Sequence, residues 1–142
     1  MHFNLVDHVV EVSPTRIVTL KHVSSAEEYL QDHFPTFPVL PGVMMLEAMV
    51  QAARRLAKEA GSQDRLVLGQ VRALKYGAFV APGSTLRVEI DLHKQLDGGQ
   101  WEFKGQGLLI DPARGPGDTP TAVSGRFLLR PVKVRMVAAA ST

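Results

Sequence analysis

The chain has 142 residues, of which 45% are hydrophobic and 21% are charged, and it contains no cysteine. A chain of this length and composition can bury a sizeable core, so we expect one folded domain over residues 1–142 and exclude an intrinsically disordered protein. The absence of cysteine excludes disulfide bonds and thiolate chemistry.

Location and partners are also restricted by the sequence. The first residues lack the basic and apolar regions of a signal peptide, and no apolar run approaches the ~20 residues that cross a bilayer, so we expect a cytoplasmic protein outside the membrane. The net charge is only +2, from 16 basic and 14 acidic residues. The basic residues are scattered, which is typical of a solvated surface rather than of nucleic-acid binding. A modest site for an acidic partner is the alternative.

The first predicted elements are a strand, a stiff loop and a helix. Residues 16–24 are rich in β-branched side chains, which predicts a strand. The three prolines within residues 34–41 restrict the backbone and remove hydrogen-bond donors, which predicts a rigid loop. Apolar residues then recur at helical spacing over residues 42–60, with Pro41 suited to the first turn and Gly61 to the end. Because the first half of this segment is apolar all round, we expect a helix enclosed by other structure.

After the helix the hydrophobic period becomes two, which predicts strands. The predicted strands are residues 66–80, bent near Gly77, then 86–92, 101–110 and 121–129. Asp97-Gly98-Gly99 is a turn signal that joins the second and third of them, and residues 111–120 form a loop. One buried helix and successive antiparallel strands make an α+β arrangement in which the sheet wraps round the helix. A second copy could cover open sheet edges, so a dimer is expected.

Two ionisable residues near the start of the helix suggest acid–base chemistry. His33 stands just before the proline-rich loop, and Glu47 is a lone carboxylate in the apolar half of the helix. A neutral histidine accepts a proton near neutral pH, and apolar surroundings favour a protonated carboxyl group that can donate one. We therefore predict that His33 and Glu47 converge on a cleft as an acid–base pair.

The segment that joins these two residues reads His-Phe-Pro-x-x-Pro-x-x-Pro-Gly-Val-x-x-x-Glu-Ala-Met-x-Gln, from His33 to Gln51. It closely resembles the signature of the 3-hydroxyacyl-[acyl-carrier-protein] dehydratases of the glutamate-bearing, non-isomerising branch, and the resemblance extends over residues 5–131. The resemblance implies an α+β hot-dog fold, with an antiparallel sheet wrapped round a long central helix. It also implies dehydration of (3R)-hydroxyacyl thioesters to trans-2-enoyl thioesters in fatty-acid or related lipid synthesis.

The same resemblance implies the roles of individual residues. His33 would be the catalytic histidine and Glu47 the catalytic carboxylate, contributed by different subunits of a homodimer; a trimer of dimers is an alternative assembly. The substrate would be a thioester of acyl-carrier protein or of coenzyme A, and neither a metal nor another cofactor would be used.

The chemistry of the reaction supports these roles. Loss of water across C2 and C3 needs a base for the α-proton and an acid for the departing hydroxide, which suits His33 and Glu47 respectively. The α-proton is acidic only when the thioester carbonyl is polarised, and we predict that the backbone N–H groups of Gly42 and Val43 do this with the helix dipole behind them. The side chains predicted to line an acyl channel are Phe37, Met44 and Met45.

Each of these residues also has a simpler interpretation. Glu47 alone could be a solvent-facing helix carboxylate, although pairing with Arg54, seven residues on, is expected to be out of reach. Methionines fill a core more often than they line a channel. Gln51 is more typical of a buried hydrogen-bonding residue than of a reactant.

The chain departs from the family pattern at three positions of the loop. Asp32 precedes the histidine where the family has glycine, and Thr36-Phe37 replaces a glycine and a basic residue. These departures keep open the alternative of a catalytically weak acyl-thioester-binding paralogue. Among enzymes, the alternative is a hot-dog thioesterase, which would release a free thiol without forming an enoyl product.

Overall fold

The structure is a computed structural model that describes residues 3–27, 30 and 38–132. In these residues one helix, Gly42–Glu59 (α1), packs against one antiparallel sheet of six strands. The strands are His8–Val12 (β1), Arg16–His22 (β2), Leu66–Tyr76 (β3), Thr85–Leu96 (β4), Gln100–Ile110 (β5) and Thr121–Pro131 (β6). Their order across the sheet is β1-β2-β4-β5-β6-β3, so β1 and β3 are the two edges. The described helix is not long and apolar enough to span a bilayer.

The β4–β5 hairpin follows from the alternation in its sequence. Leu86, Val88 and Ile90 are fully buried on the face that meets α1, and the charged residues between them lie on the outer face. Gly98 and Gly99 have φ angles of 77° and 74°, a left-handed conformation that glycine adopts at little cost. The predicted strands and their connecting turn are confirmed here.

The core lies between α1 and the inner face of the sheet. The buried side chains of the helix are those of Met45, Ala48, Met49, Val50, Ala52, Ala53, Leu56 and Ala57. Gly105 of β5 permits the close approach of the two layers, since an added Cβ there would lie 2.7 Å from Ile90 Cδ1 and 3.0 Å from Met49 Sδ. Burial of this apolar face stabilises the helix, because most helical stability in proteins comes from the packing of one apolar face against other structure.

The prediction of a helix enclosed on all sides is wrong for the single chain. Val43, in the first turn, is 67% exposed, and the stripe that continues through Glu47 and Arg54 is only partly covered. The physical reason is that one sheet covers one side of a helix. The opposite stripe is exposed at Val43 and at Lys58 and is partly covered between them.

The remaining strands differ in detail from the prediction. β1 was not predicted as a strand. β3 ends at Tyr76 and is not bent at Gly77, whose N–H donates to Ala122 O at 2.9 Å instead. β3 also carries two irregularities in its pairing with β6, and Ala73 within the second has a φ of 51°. The predicted rigid loop lies partly outside the described residues, which resume at Pro38.

Candidate active site

The first turn of α1 has two backbone donors, those of Gly42 and Val43, with no partner among the described residues. Pro41 occupies the N-cap position, no side chain caps the helix, and the first turn contains no acidic residue. The N–H groups of Met44 and Met45 both donate to Pro41 O, at 3.0 and 3.1 Å. The N–H groups of Gly42 and Val43 precede the first intrahelical bonds and have no partner within the helix. Two free donors at the positive end of a helix favour an oxygen that carries negative charge.

Tyr76 lies beside these donors, although the sequence analysis assigned it no role. An added Cβ on Gly42 would lie 2.8 Å from the ring Cζ of Tyr76 and 3.2 Å from its hydroxyl oxygen, so the ring lies directly against the start of the helix. Partial burial raises the pKa of the Tyr76 phenol. The phenol is therefore a neutral hydrogen-bond donor at physiological pH. Only the sheet topology brings these residues together, so no local sequence signal could have identified the contact.

Glu47 lies one turn after Val43, on the same stripe of α1. Its Oε1 accepts a hydrogen bond from Gln51 Nε2 at 3.3 Å. The same oxygen lies 3.7 Å from Nη1 of Arg54. The Nε of Arg54 donates to Leu66 O at 2.9 Å, which ties the guanidinium to the first residue of β3. The expectation that Arg54 is out of reach is wrong, because two long side chains on one face span the two turns between them.

The surroundings of Glu47 are also more open than expected. The side chain is 40% exposed, so the predicted apolar enclosure is wrong for the single chain. Both of its contacts use Oε1, which leaves Oε2 free of any partner among the described residues. A carboxylate held through one oxygen can present the other to a substrate.

Gln51 connects Glu47 to the N-terminal segment. Its Nε2 donates to Phe3 O at 2.7 Å, and its Oε1 accepts from the N–H of Leu5 at 2.8 Å. These two bonds hold the segment before β1 against the helix. The prediction that Gln51 is a hydrogen-bonding residue is confirmed.

Glu47 borders a groove of about 740 Å³ beside the open stripe of α1. Arg54 and Lys58 of the helix form one wall, and residues 62–65 with the first two residues of β3 form the other. Most of these side chains are polar or charged. The groove runs along α1 in the direction of its C-terminal end.

Two further predicted site residues, Met44 and Met45, lie away from the groove. Met45 is only 4% exposed and belongs to the core, Met44 packs against that core, and neither lines the groove. His33 and Phe37 lie outside the described residues. The meeting of His33 with Glu47 and the acyl channel therefore stay predictions. No group of three potential metal ligands occurs in the part of the chain that the structure describes.

Comparisons with known proteins identify relatives of the chain. The family model of the ApeI-like group, described as ApeI dehydratase, matches residues 9–109. The 3-hydroxyacyl-[acyl-carrier-protein] dehydratase FabZ of Anaeromyxobacter sp. (strain K) is 40% identical over 110 residues, which cover 72% of this chain and 69% of that protein. FabZ of Chloroflexus aggregans (strain MD-66 / DSM 9485) is 42% identical over 102 residues, with coverage of 68% and 69%.

Solved structures share the fold at lower identity. The dehydratase heterocomplex ApeI:P from Xenorhabdus doucetiae superposes with a TM-score of 0.63 at 18% identity, over 91% of this chain and 99% of that chain. An acyl-CoA hydrolase from Bacillus cereus gives 0.65 at 15% identity, over 84% and 67%. The predicted hot-dog fold is confirmed. The curated relatives confirm the predicted dehydratase class, and the chain belongs to the 3-hydroxyacyl-[acyl-carrier-protein] dehydratase family.

Proposed function

We propose that the protein removes water from (3R)-hydroxyacyl thioesters, carried by acyl-carrier protein, to give trans-2-enoyl thioesters in fatty-acid or related lipid synthesis. Membership of the dehydratase family supports the reaction. The observation that carries the proposal is the position of Glu47, one turn after the free donors of Gly42 and Val43 on an open stripe of α1. A thioester carbonyl bound at the helix start therefore has its C3 carbon within range of a carboxyl group.

The proposed reaction assigns one task to each group. The N–H groups of Gly42 and Val43 bind the thioester oxygen as negative charge develops on it. His33 takes the C2 proton, the electrons of the broken C2–H bond form the C2=C3 double bond, and the C3–O bond breaks. Glu47 supplies the proton that turns the leaving hydroxide into water. Arg54, 3.7 Å from Oε1, orients the carboxyl group and leaves Oε2 for the substrate.

The proposed active unit is a homodimer in which Glu47 faces His33 of the partner subunit. Two features support a partner on this side of the molecule: the open edge of β3 and the exposed Val43 on the uncovered stripe of α1. Open sheet edges commonly pair with a second copy, and a two-fold interface would build two equal sites. A trimer of dimers is a further assembly of the same unit. The proposed location is the cytoplasm, which the family membership supports.

The test is a dehydration assay on (3R)-hydroxyacyl thioesters of acyl-carrier protein and of coenzyme A, followed by the ultraviolet absorbance of the conjugated enoyl product. We expect Glu47→Gln and His33→Ala each to lower kcat by about 10²–10⁴-fold, since each removes one proton-transfer group. Glu59→Gln is the matched control, because Glu59 is an exposed carboxylate at the other end of α1. Wild-type protein no faster than Glu47→Gln, or free thiol released without enoyl product, would contradict the proposal.

A further inference from the structure

Tyr76 lies on the helix side of the sheet because β3 contains one extra residue. On β3, Arg72 pairs with Arg126 of β6, and both side chains are exposed on the outer face. Lys75, three residues further along β3, pairs with Ser124, which is only two residues from Arg126 on β6. In a strand without this bulge, the alternation of side chains would place Tyr76 on the outer face with Arg72. The bulge therefore turns the Tyr76 side chain toward α1.

This bulge is a strained piece of backbone. Ala73, within it, has a φ of 51°, in a left-handed region that residues other than glycine adopt rarely and at a cost. Beyond the bulge, Tyr76 pairs with Val123, which is fully buried on the inner face. Strained backbone and bulges are found most often beside functional sites, where they redirect a side chain. The side chain redirected here is that of Tyr76.

The hydroxyl group of Tyr76 is within reach of the donors at the start of α1. It lies 3.2 Å from the position of an added Cβ on Gly42. Because a Cβ is about 2.5 Å from the nitrogen of its own residue, the hydroxyl oxygen is at most about 5.7 Å from Gly42 N. One acceptor oxygen can therefore bond to both groups at ordinary lengths. Helical Cα–Cβ bonds tilt toward the N-terminus, so the ring covers the end of the helix at which the N–H groups of Gly42 and Val43 lie.

The Tyr76 hydroxyl group is also available to a ligand. It makes no hydrogen bond among the described residues, and burial is the cause that raises its pKa, which keeps the phenol protonated. The side chain is 51% exposed, so a ligand at the start of α1 can approach it. Gly42 is what permits this arrangement, since any larger residue there would collide with the ring.

We propose that the Tyr76 hydroxyl group is a third hydrogen-bond donor to the thioester carbonyl oxygen, beside the N–H groups of Gly42 and Val43. This inference rests on the proposed function and adds a catalytic residue to the same site. Negative charge develops on the carbonyl oxygen as the C2 proton leaves, and a hydrogen bond to that oxygen becomes stronger as the charge grows. Tyr76 keeps its own proton throughout and transfers none.

The test compares Tyr76→Phe, which keeps the ring and removes only the hydroxyl group, with Tyr76→Leu, which removes both. In the dehydration assay we expect Tyr76→Phe to lower kcat by about 10–100-fold with little change in KM, because the lost bond is stronger in the transition state than in the bound substrate. Tyr76→Leu is expected to lose at least as much. Wild-type kcat in Tyr76→Phe, with a loss only in Tyr76→Leu, would overturn the inference, since the ring would then only pack against the helix.

A second measurement does not depend on turnover. A saturated acyl-coenzyme A has no hydroxyl to lose, and the infrared stretching band of its isotope-labelled thioester carbonyl moves to lower frequency as its oxygen accepts hydrogen bonds. We expect a larger shift on binding to wild-type protein than to Tyr76→Phe. Such a difference without dehydration supports the inference and counts against the proposed reaction.

Two further results would overturn the inference even where dehydration occurs. One is an equal carbonyl shift in wild-type protein and Tyr76→Phe. The other is dissociation of Tyr76→Phe on size-exclusion chromatography, which would mean that the hydroxyl group binds the partner subunit instead of the substrate.

Discussion

Gln51 joins the candidate active site to the N-terminal segment through a single amide. Its substitution by leucine would remove the hydrogen bonds to the N–H of Leu5 and to the carbonyl of Phe3, and one of the two contacts of Glu47. We expect Gln51→Leu to lower the free energy of unfolding by about 1–3 kcal/mol, because the N–H of the buried Leu5 loses its hydrogen bond to the amide. Denaturant unfolding measures this loss. Gln95→Leu, an exposed position of β4, is expected to change little, and equal stability of both variants would contradict the argument.

Some residues of the candidate site could be predicted from the sequence because they lie close together along the chain. Gly42, Val43 and Glu47 belong to the start of one helix, so their relative positions follow from helical geometry. The contact between Tyr76 and Gly42 depends on the order of the strands, which no local pattern encodes. The Arg54 contact was missed for another reason: single-turn rules do not describe two extended side chains on one face.

At the level of secondary-structure elements, the junction after β3 depends on Gly77. Gly77 donates to Ala122 O at 2.9 Å, and an added Cβ would collide with the carbonyl oxygen of Thr121. Because that obstacle is backbone, Gly77→Ala must displace the paired end of β6, and we expect a loss of about 1–3 kcal/mol in the free energy of unfolding. The matched control is Gly115→Ala, whose added methyl group would meet open space. A loss no larger than that of the control in thermal or denaturant unfolding would contradict the prediction.

The elements with a long and regular hydrophobic pattern were predicted from the sequence, and a short strand without such a pattern was not. α1 and the β4–β5 hairpin have long runs at one period, and the sequence predicted both. β1 has five residues, His-Val-Val-Glu-Val, most of them exposed at an edge, so neither alternation nor burial marks it. The apolar residues of α1 predicted burial but not its side, because the pattern does not reveal that a single sheet leaves one stripe uncovered.

For the whole molecule, the proposed shared site makes a prediction about mixed subunits. His33→Ala and Glu47→Gln each inactivate both sites of their own homodimer. When the two variants are unfolded together and refolded, half of the dimers are mixed, and each mixed dimer has one intact site. We expect the mixture to regain roughly a quarter of wild-type activity in the dehydration assay, as two-fold symmetry requires.

The mixing experiment has an internal control. The double variant, His33→Ala with Glu47→Gln on one chain, refolded with wild-type protein gives mixed dimers that contain no intact site if the site is built between subunits, and one intact site if each site is built within a single chain. Refolded alone, it has none. Absence of any recovery in the first mixture, with both variants folded and dimeric by size-exclusion chromatography, would mean that each site is built within a single chain.

The uncapped start of α1 has a consequence for the engineering of this protein. A serine or aspartate at the N-cap typically adds about 1 kcal/mol to helix stability, and this chain has Pro41 there instead. A capping side chain accepts a hydrogen bond from the second or third N–H of the helix, so under the proposed function it would compete with the thioester oxygen for the N–H of Val43. If the proposed function holds, the absent cap trades stability for turnover, and stabilising substitutions are better directed to the far end of the helix.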